Sequence, residues 1–302
     1  MKKLILTIIL STSLFANSGN PFNYLPSQQS NGQIVQHSYY TLEYNEEHEQ
    51  ASWVAYKLTG HHIQNPSTKR KDNFRSDPKV KTGSATLSDY KGSGYDRGHL
   101  APAADFKWSA TAMSESFYMS NMSPQVSGFN RGIWKNMEST VRNWAVENDE
   151  IYIVTGPVLE NTLGSIGSNR VSIPSQYYKV ILDYKKPDIK GIGIIMPNEK
   201  SDASLSFYAV SIDEVERVTG IDFFPELPDK IEKRIESNIN VTNWSWGKSK
   251  SYTTNKKSSF KKEVVNNDSE RLPAGASIQC SGSTKKGKRC KKKTLNADGY
   301  CN

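Results

Sequence analysis

No cysteine occurs before position 280, and only three are present among 302 residues. The body of the chain therefore has no disulfide framework and no thiolate metal site. Long hydrophobic runs are absent as well. Leu4–Leu10 is the apolar stretch that follows Met1-Lys2-Lys3, and a membrane span needs about 20 such residues. With a mean hydropathy of −0.64, the composition excludes a membrane bundle and fits a soluble globular protein. The charged, apolar and small-residue order of residues 1–16, ending Ser-Leu-Phe-Ala16, is that of a signal peptide. With no cysteine after the apolar run, a lipoprotein site is excluded, and the expectation is an exported protein, periplasmic or secreted. Histidine is also scarce, at five residues. His61 and His62 are adjacent and would face opposite ways in an extended chain. They read as surface residues, as do His37 and His48, which leaves His99 to carry imidazole chemistry.

Charge is unevenly spread. The whole chain is +8, but residues 248–302 hold 14 basic and four acidic residues, a net of +10. Residues 1–247 come to −2, and removal of Lys2 and Lys3 with the leader brings the body to about −4. Any positive potential in the body must be focused locally. Residues 248–272, rich in Lys, Ser and Asn, read as a disordered basic linker. Residues 273–302 form a short basic tail with Cys280, Cys290 and Cys301. Its cysteine cluster is similar to a small Cys-rich module of bacterial proteins. The cysteines give a Zn²⁺ site one ligand short of four, one disulfide with a free thiol, or no more than a plain basic tail, the first two readings standing level.

Residues 17–247 form the expected domain. Ala51–Leu58, Ile151–Thr155, Tyr178–Tyr184, Gly191–Met196 and Leu205–Val210 read as strands, with Gly60–Ser84 a loop. Ser211 and Glu214 form a capping box for a helix that stops at Gly220. Helices and strands mix without a βαβ repeat, so the class is α+β.

The chain is organised around Gly94-Tyr-Asp-Arg-Gly-His-Leu-Ala-Pro-Ala-Ala-Asp-Phe106. In a strand, Arg97 and His99 share a face. That face carries a guanidinium suited to phosphate beside a group that can take a proton near neutral pH. Gly98 and Asp96 face the other way, Gly98 permitting a close approach and Asp96 anchoring the strand from behind. Phe117-Tyr118-Met119 reads as a second strand leading into Ser120–Gln125. Ile133, Met137, Val141 and Trp144 then recur at helical spacing across Gly128–Glu147. Asn130 and Glu138 lie eight residues apart, about 12 Å of rise and roughly 80° of rotation in a straight helix. That suits Asn130 as a direct metal ligand and Glu138 as a holder of one metal water, the sparse protein coordination usual for Mg²⁺.

Asp96-Arg97-Gly98-His99 followed by Asn121, Asn130 and Glu138 resembles the DNA/RNA non-specific endonuclease family, the ββα-metal nucleases that include endonuclease G. The resemblance spans residues 40–246 and departs at no site position. It implies the ββα-metal (His-Me finger) fold with a central mixed or antiparallel sheet. It also implies His99 as general base, Asn130 as sole direct ligand of Mg²⁺ (Mn²⁺ substituting), and Glu138 acting through water. Arg97 and Asn121 follow as active-site residues, and Arg70 as a further phosphate contact. The expected activity is sequence-non-specific hydrolysis of DNA and RNA, gripped by the phosphate backbone, leaving 5′-phosphate ends. The rival expectations are a catalytically weak nucleic-acid-binding protein and an envelope-interaction protein, each acting through the basic tail.

Overall fold

The computed structural model describes residues 25–29 and 32–247, with the backbone of Ile278–Gln279 and Lys293–Thr294. The expected leader at 1–16, the whole of the expected linker at 248–272 and the three cysteines lie outside the described residues. Elements follow in the order β1 Gly32–Gln36, β2 Thr41–Asn45, β3 Gln50–Thr59, α1 Gly60–Gln64, α2 Leu87–Tyr90, β4 Asp96–His99, α3 Ala110–Glu115, β5 Met122–Gln125 and α4 Lys135–Glu147. Then come β6 Glu150–Val158, β7 Ser165–Ile166, β8 Val171–Ser172, β9 Gln176–Asp183, β10 Lys190–Pro197, β11 Ala209–Val210, α5 Ile212–Thr219 and α6 Asp229–Glu236. In the tail, β12 Ile278–Gln279 pairs antiparallel with β13 Lys293–Thr294.

The class is α+β. Seven strands form one antiparallel sheet in the order β1-β2-β3-β6-β9-β10-β11. Strands β3, β6 and β9 are buried on both faces, so they lack the apolar–polar alternation of a half-exposed sheet. Two successive tyrosines of β9 show what covers each face, because neighbouring strand residues point opposite ways. The Tyr177 ring stacks on Phe129 at 5.4 Å, and its hydroxyl donates to the Pro124 carbonyl at 2.9 Å. Tyr178 packs against Phe223 at 5.6 Å and donates to the Ser52 carbonyl at 2.9 Å. The sheet is thus the middle layer between the segment holding β4, β5 and α4 and the C-terminal helices. On the second face α5 sits very close to β10. A Cβ on Gly193 would come within 2.6 Å of Val215 and 2.7 Å of the Ser211 carbonyl, so only glycine permits that approach.

Several expectations are corrected. Residues 117–119 are not a strand; the chain leaves α3, makes a tight turn over Met119–Asn121, and pairs with β4 only from Met122. Leu205–Tyr208 is a 3₁₀ turn, and just Ala209–Val210 pairs with the sheet. The Gly60–Ser84 loop opens with a helical turn, capped by Thr59 accepting from the His62 N–H. The β6 strand continues through Gly156-Pro157 to Val158. Ser211 does cap α5 and Gly220 ends it at φ 68°, but Glu214 bonds to Arg217 and not back to the cap. His37 is no surface residue. It is buried against Asp77 (2.8 Å), its ring 4.9 Å from that of Tyr118. His48 is half-buried on Ser172, and His62 stacks on Trp108 at 3.8 Å.

Candidate active site

The β4–β5 hairpin pairs Asp96 with Gln125, Arg97 with Pro124, Gly98 with Ser123 and His99 with Met122. It is tied to the main sheet through Ser123, whose hydroxyl meets Gln50 Oε1 at 2.5 Å and Tyr177 Oη at 2.7 Å. The Gln125 side chain occupies the space a Cβ on residue 98 would need, so Gly98 is there to admit a side chain from behind. After β5 the chain makes a wide π-type turn over Phe129–Trp134, broken at Gly132 (φ −105°, ψ −111°), before α4 begins. The straight-helix count between Asn130 and Glu138 does not survive that break, yet both residues line one cleft of about 600 Å³. Arg70, Arg97 and His99 line it with them.

His99 is buried, with its ring edge-on to Phe117 at 4.9 Å. Its Nε2 has no hydrogen-bond partner. Burial, then the positive charges of Arg70 and Arg97, push its pKa down to about 3. The imidazole is therefore neutral throughout the physiological range, well below the ordinary titration point that the sequence suggests. Arg97 lies over the Phe74 ring at 4.2 Å, and Arg70 lies 5.1 Å from the Phe117 ring while pairing with Asp72 at 2.7 Å. Both ends of that pair are half-exposed, so it holds Arg70 weakly.

Asp96 is not behind the strand. Its carboxylate accepts from Ser127 Oγ (2.9 Å), Asn130 Nδ2 (2.9 Å) and both Nε (2.8 Å) and Nη2 (2.6 Å) of Arg131. Burial works against its ionisation, but the bonds from Arg131, Asn130 and Ser127 outweigh it and hold the carboxyl below its usual range. Fixing Asn130 Nδ2 on Asp96 also fixes the amide's orientation, leaving Oδ1 as its remaining acceptor. Orienting a ligand through its other atom is how outer residues tune metal sites.

Glu138, half-buried in the first turn of α4, is pushed up to about 7 by burial. The nearby Asp105 raises it further; Lys179, Arg142 and Arg70 oppose the rise. Behind it, Asp105 is buried and accepts from Arg142 Nη1 and Tyr56 Oη, both at 2.8 Å. Lys179 Nζ lies 4.3 Å from the Trp134 ring and donates to Thr155 Oγ1 at 3.1 Å. Sequence reading missed Asp96's position, Arg142, Asp105 and Lys179. Arg142 had a signal, being one helical turn after Glu138; Asp105 and Lys179 had none.

Asn121 stands apart from the cleft. It is wholly buried, with Oδ1 accepting from the Ala101 N–H and Nδ2 donating to the carbonyls of Ala101 and Ser116. All its bonding goes to backbone on either side of the loop that follows His99, so the structure gives it a scaffold position and no contact with substrate space.

A neutral amide oxygen and a carboxyl in an open polar cleft suit a hard, largely hydrated cation. The fold and cleft together define a ββα-metal nuclease. The family model for DNA/RNA non-specific endonucleases matches residues 18–230, and the chain belongs to that family. It is 35% identical over 242 residues to a nuclease of Nostoc sp., covering 76% of this chain and 87% of that one. It is 34% identical over 209 residues to human mitochondrial endonuclease G, covering 65% and 70% respectively. The crystal structure of the EndoG/EndoGI complex superposes with a TM-score of 0.61 at 33% identity, over 65% of this chain and 87% of that one. The protein is a metal-dependent endonuclease, a hydrolase of nucleic acid.

Proposed function

We propose that the protein is exported and, with Mg²⁺ (Mn²⁺ substituting), hydrolyses DNA and RNA without sequence preference, leaving 5′-phosphate ends. The observation that carries this reading is His99 Nε2. It is buried and unpartnered, on an imidazole that is neutral at physiological pH, in a cleft shared with two arginines and Asn130. Arg70 and Arg97 grip a backbone phosphate, a contact that carries no base information. The phosphate's charge offsets the two arginines, while burial, the larger cause, keeps the His99 imidazole neutral as substrate arrives. His99 Nε2 then takes the proton of the attacking water. Asn130 Oδ1 and, one water further out, Glu138 would hold the ion, with Asp96 keeping the amide in orientation. The ion supplies charge stabilisation to the pentacovalent phosphate and the leaving 3′-oxygen. Arg142, tied to Asp105, presents a further cation beside Glu138. The leader at residues 1–16 supports export, and the basic stretch at 248–302 supports an added, salt-sensitive hold on nucleic acid.

Plasmid nicking tests the reading. Cleavage should stop in EDTA, return with Mg²⁺, and leave ends that ligate without prior phosphorylation. Cleavage undiminished by EDTA, or products with 3′-phosphate, would overturn it.

A further inference from the structure

A second cluster of chemistry lies where α5 meets α6. Asp213 and Glu216 are one turn apart on α5, hence on one face, and Glu236 is the last residue of α6. Each offers a carboxylate oxygen, and these oxygens all lie within 4.8 Å of one another. Oxygens sharing a Ca²⁺ at about 2.3–2.6 Å are separated by no more than about 5 Å, so the spacing is already that of a coordination shell.

Clusters of surface carboxylates are common without an ion, but Glu236 is not a surface residue. It is 8% exposed, and its Oε1 is buried with no hydrogen-bond partner. A buried carboxylate oxygen without a donor is costly. The strongest charges around it are all negative: Glu216, Glu232, Asp213 and Asp222. Arg217, the basic residue of α5, is turned to Glu214. Among the described residues no lysine or arginine lies within ion-pair distance of the three carboxylates. Glu216 is held in place, since its Oε1 accepts from the Phe223 N–H at 2.9 Å. One carboxylate is thus fixed by backbone, one is buried and short of a partner, and one is exposed and free to swing in.

We propose that Asp213, Glu216 and Glu236 bind a Ca²⁺ ion that staples α5 to α6. All three ligands are hard oxygens. Asp213's exposure leaves room for the waters that complete a shell of six to eight. The site belongs to the helical layer on the Tyr178 face of the sheet. The cleft lies with the layer on the Tyr177 face, so the ion serves stability and takes no part in cleavage. It draws on no residue of the nuclease site.

The test is calorimetric titration of CaCl₂ into the full-length Asn130→Ala protein, which removes the cleft's amide ligand. One ion per chain should bind, and Asp213→Asn with Glu216→Gln should weaken binding at least about tenfold, the loss that even an outer-sphere partner can produce. Thermal unfolding provides the second readout, independent of whether those variants titrate cleanly. Ca²⁺ should raise the Tm of the protein and should not raise it once Glu236→Gln is made. Plasmid cleavage by Asp213→Asn in Mg²⁺ should match that of the unmodified chain. No Ca²⁺-dependent rise in Tm, or binding that the Asp213→Asn Glu216→Gln protein retains in full, would overturn the proposal.

Discussion

Two glutamates in this protein share a perturbation and differ in company. Glu138 in the cleft is pushed up to about 7, and Glu236 at the α5–α6 junction up to about 8, in both cases by burial first. Around Glu138 the chain supplies cations, with Lys179, Arg142 and Arg70 all acting to restore its charge. Around Glu236 it supplies more carboxylates. Burial raises the cost of a charge, and the sign of the neighbours decides what relieves it. In the cleft, protein cations relieve part of that cost, though burial still prevails. At the junction no lysine or arginine among the described residues lies within ion-pair distance to supply that relief.

The largest expected effect is at His99. If the cleft's charges serve a base that is neutral from the outset, His99→Ala should lower single-turnover cleavage by about 10²–10⁴-fold while DNA affinity changes little. Turnover close to that of the unmodified protein would remove His99 from the chemistry. Next come the residues that present the ion's ligand. Asn130→Ala should sharply raise the Mg²⁺ concentration needed for half-maximal rate. Asp96→Ala, one shell out, should raise it by about 10–100-fold. An unchanged Mg²⁺ requirement in Asp96→Ala would show that the bond to Asn130 has no bearing on metal binding.

Asn121 sharpens the contrast from the other side, as a site-motif residue whose bonds all go to backbone. Its removal leaves the Ala101 N–H and two carbonyls without partners. Asn121→Ala should therefore cost at least about 3 kcal/mol of stability by denaturant unfolding, three buried unsatisfied groups at about 1–3 kcal/mol each. Unaltered stability with lost turnover would return Asn121 to direct contact with substrate. The smallest effect concerns the tail. Residues 17–247 should keep the chemical step but bind long DNA with a shallower salt dependence, each phosphate released contributing about 0.9 to the slope. An identical slope in both lengths of chain would separate the tail from nucleic acid and favour an envelope role.

Much of the cleft was legible because its core is local. Arg97 and His99 lie two apart on one strand, and Asn130 and Glu138 belong to one continuous segment. The arrangement failed to read through where a residue's partner is distant. Asp96 alternates away from His99 along β4, but it sits at the strand's start, where Ser127, Asn130 and Arg131 come round to meet it. His99's depressed basicity depends on how deeply Phe117 and Phe74 enclose it, which no motif encodes. Lys179 comes from β9 on the far side of the sequence, so nothing near Glu138 announces it. The apolar Phe117–Met119 run mimics a strand because Phe117 and Met119 are buried for packing, while Tyr118 lies half-buried against His37 and Arg75. In the sheet itself, runs such as Ala51–Leu58 and Tyr178–Tyr184 gave their strands away because both faces are buried. The Asp213–Glu216–Glu236 cluster joins two helices that share no local signal and both pack over glycines of β10.

The most direct test of the contrast is a Mg²⁺ titration of plasmid cleavage at pH 6 and pH 8, for the unmodified protein and Glu138→Gln. Glu138 must be ionised to support the ion, and its raised pKa means that it gains a proton as pH falls through about 7. His99, held down near 3, stays neutral across that window. The unmodified protein should therefore need several-fold more Mg²⁺ at pH 6 than at pH 8, with the rate recovering at saturating metal. In Glu138→Gln the requirement should be high at both values and nearly independent of pH. A loss of rate at pH 6 that saturating Mg²⁺ fails to restore, or a pH effect that persists in Glu138→Gln, would contradict this division of charge.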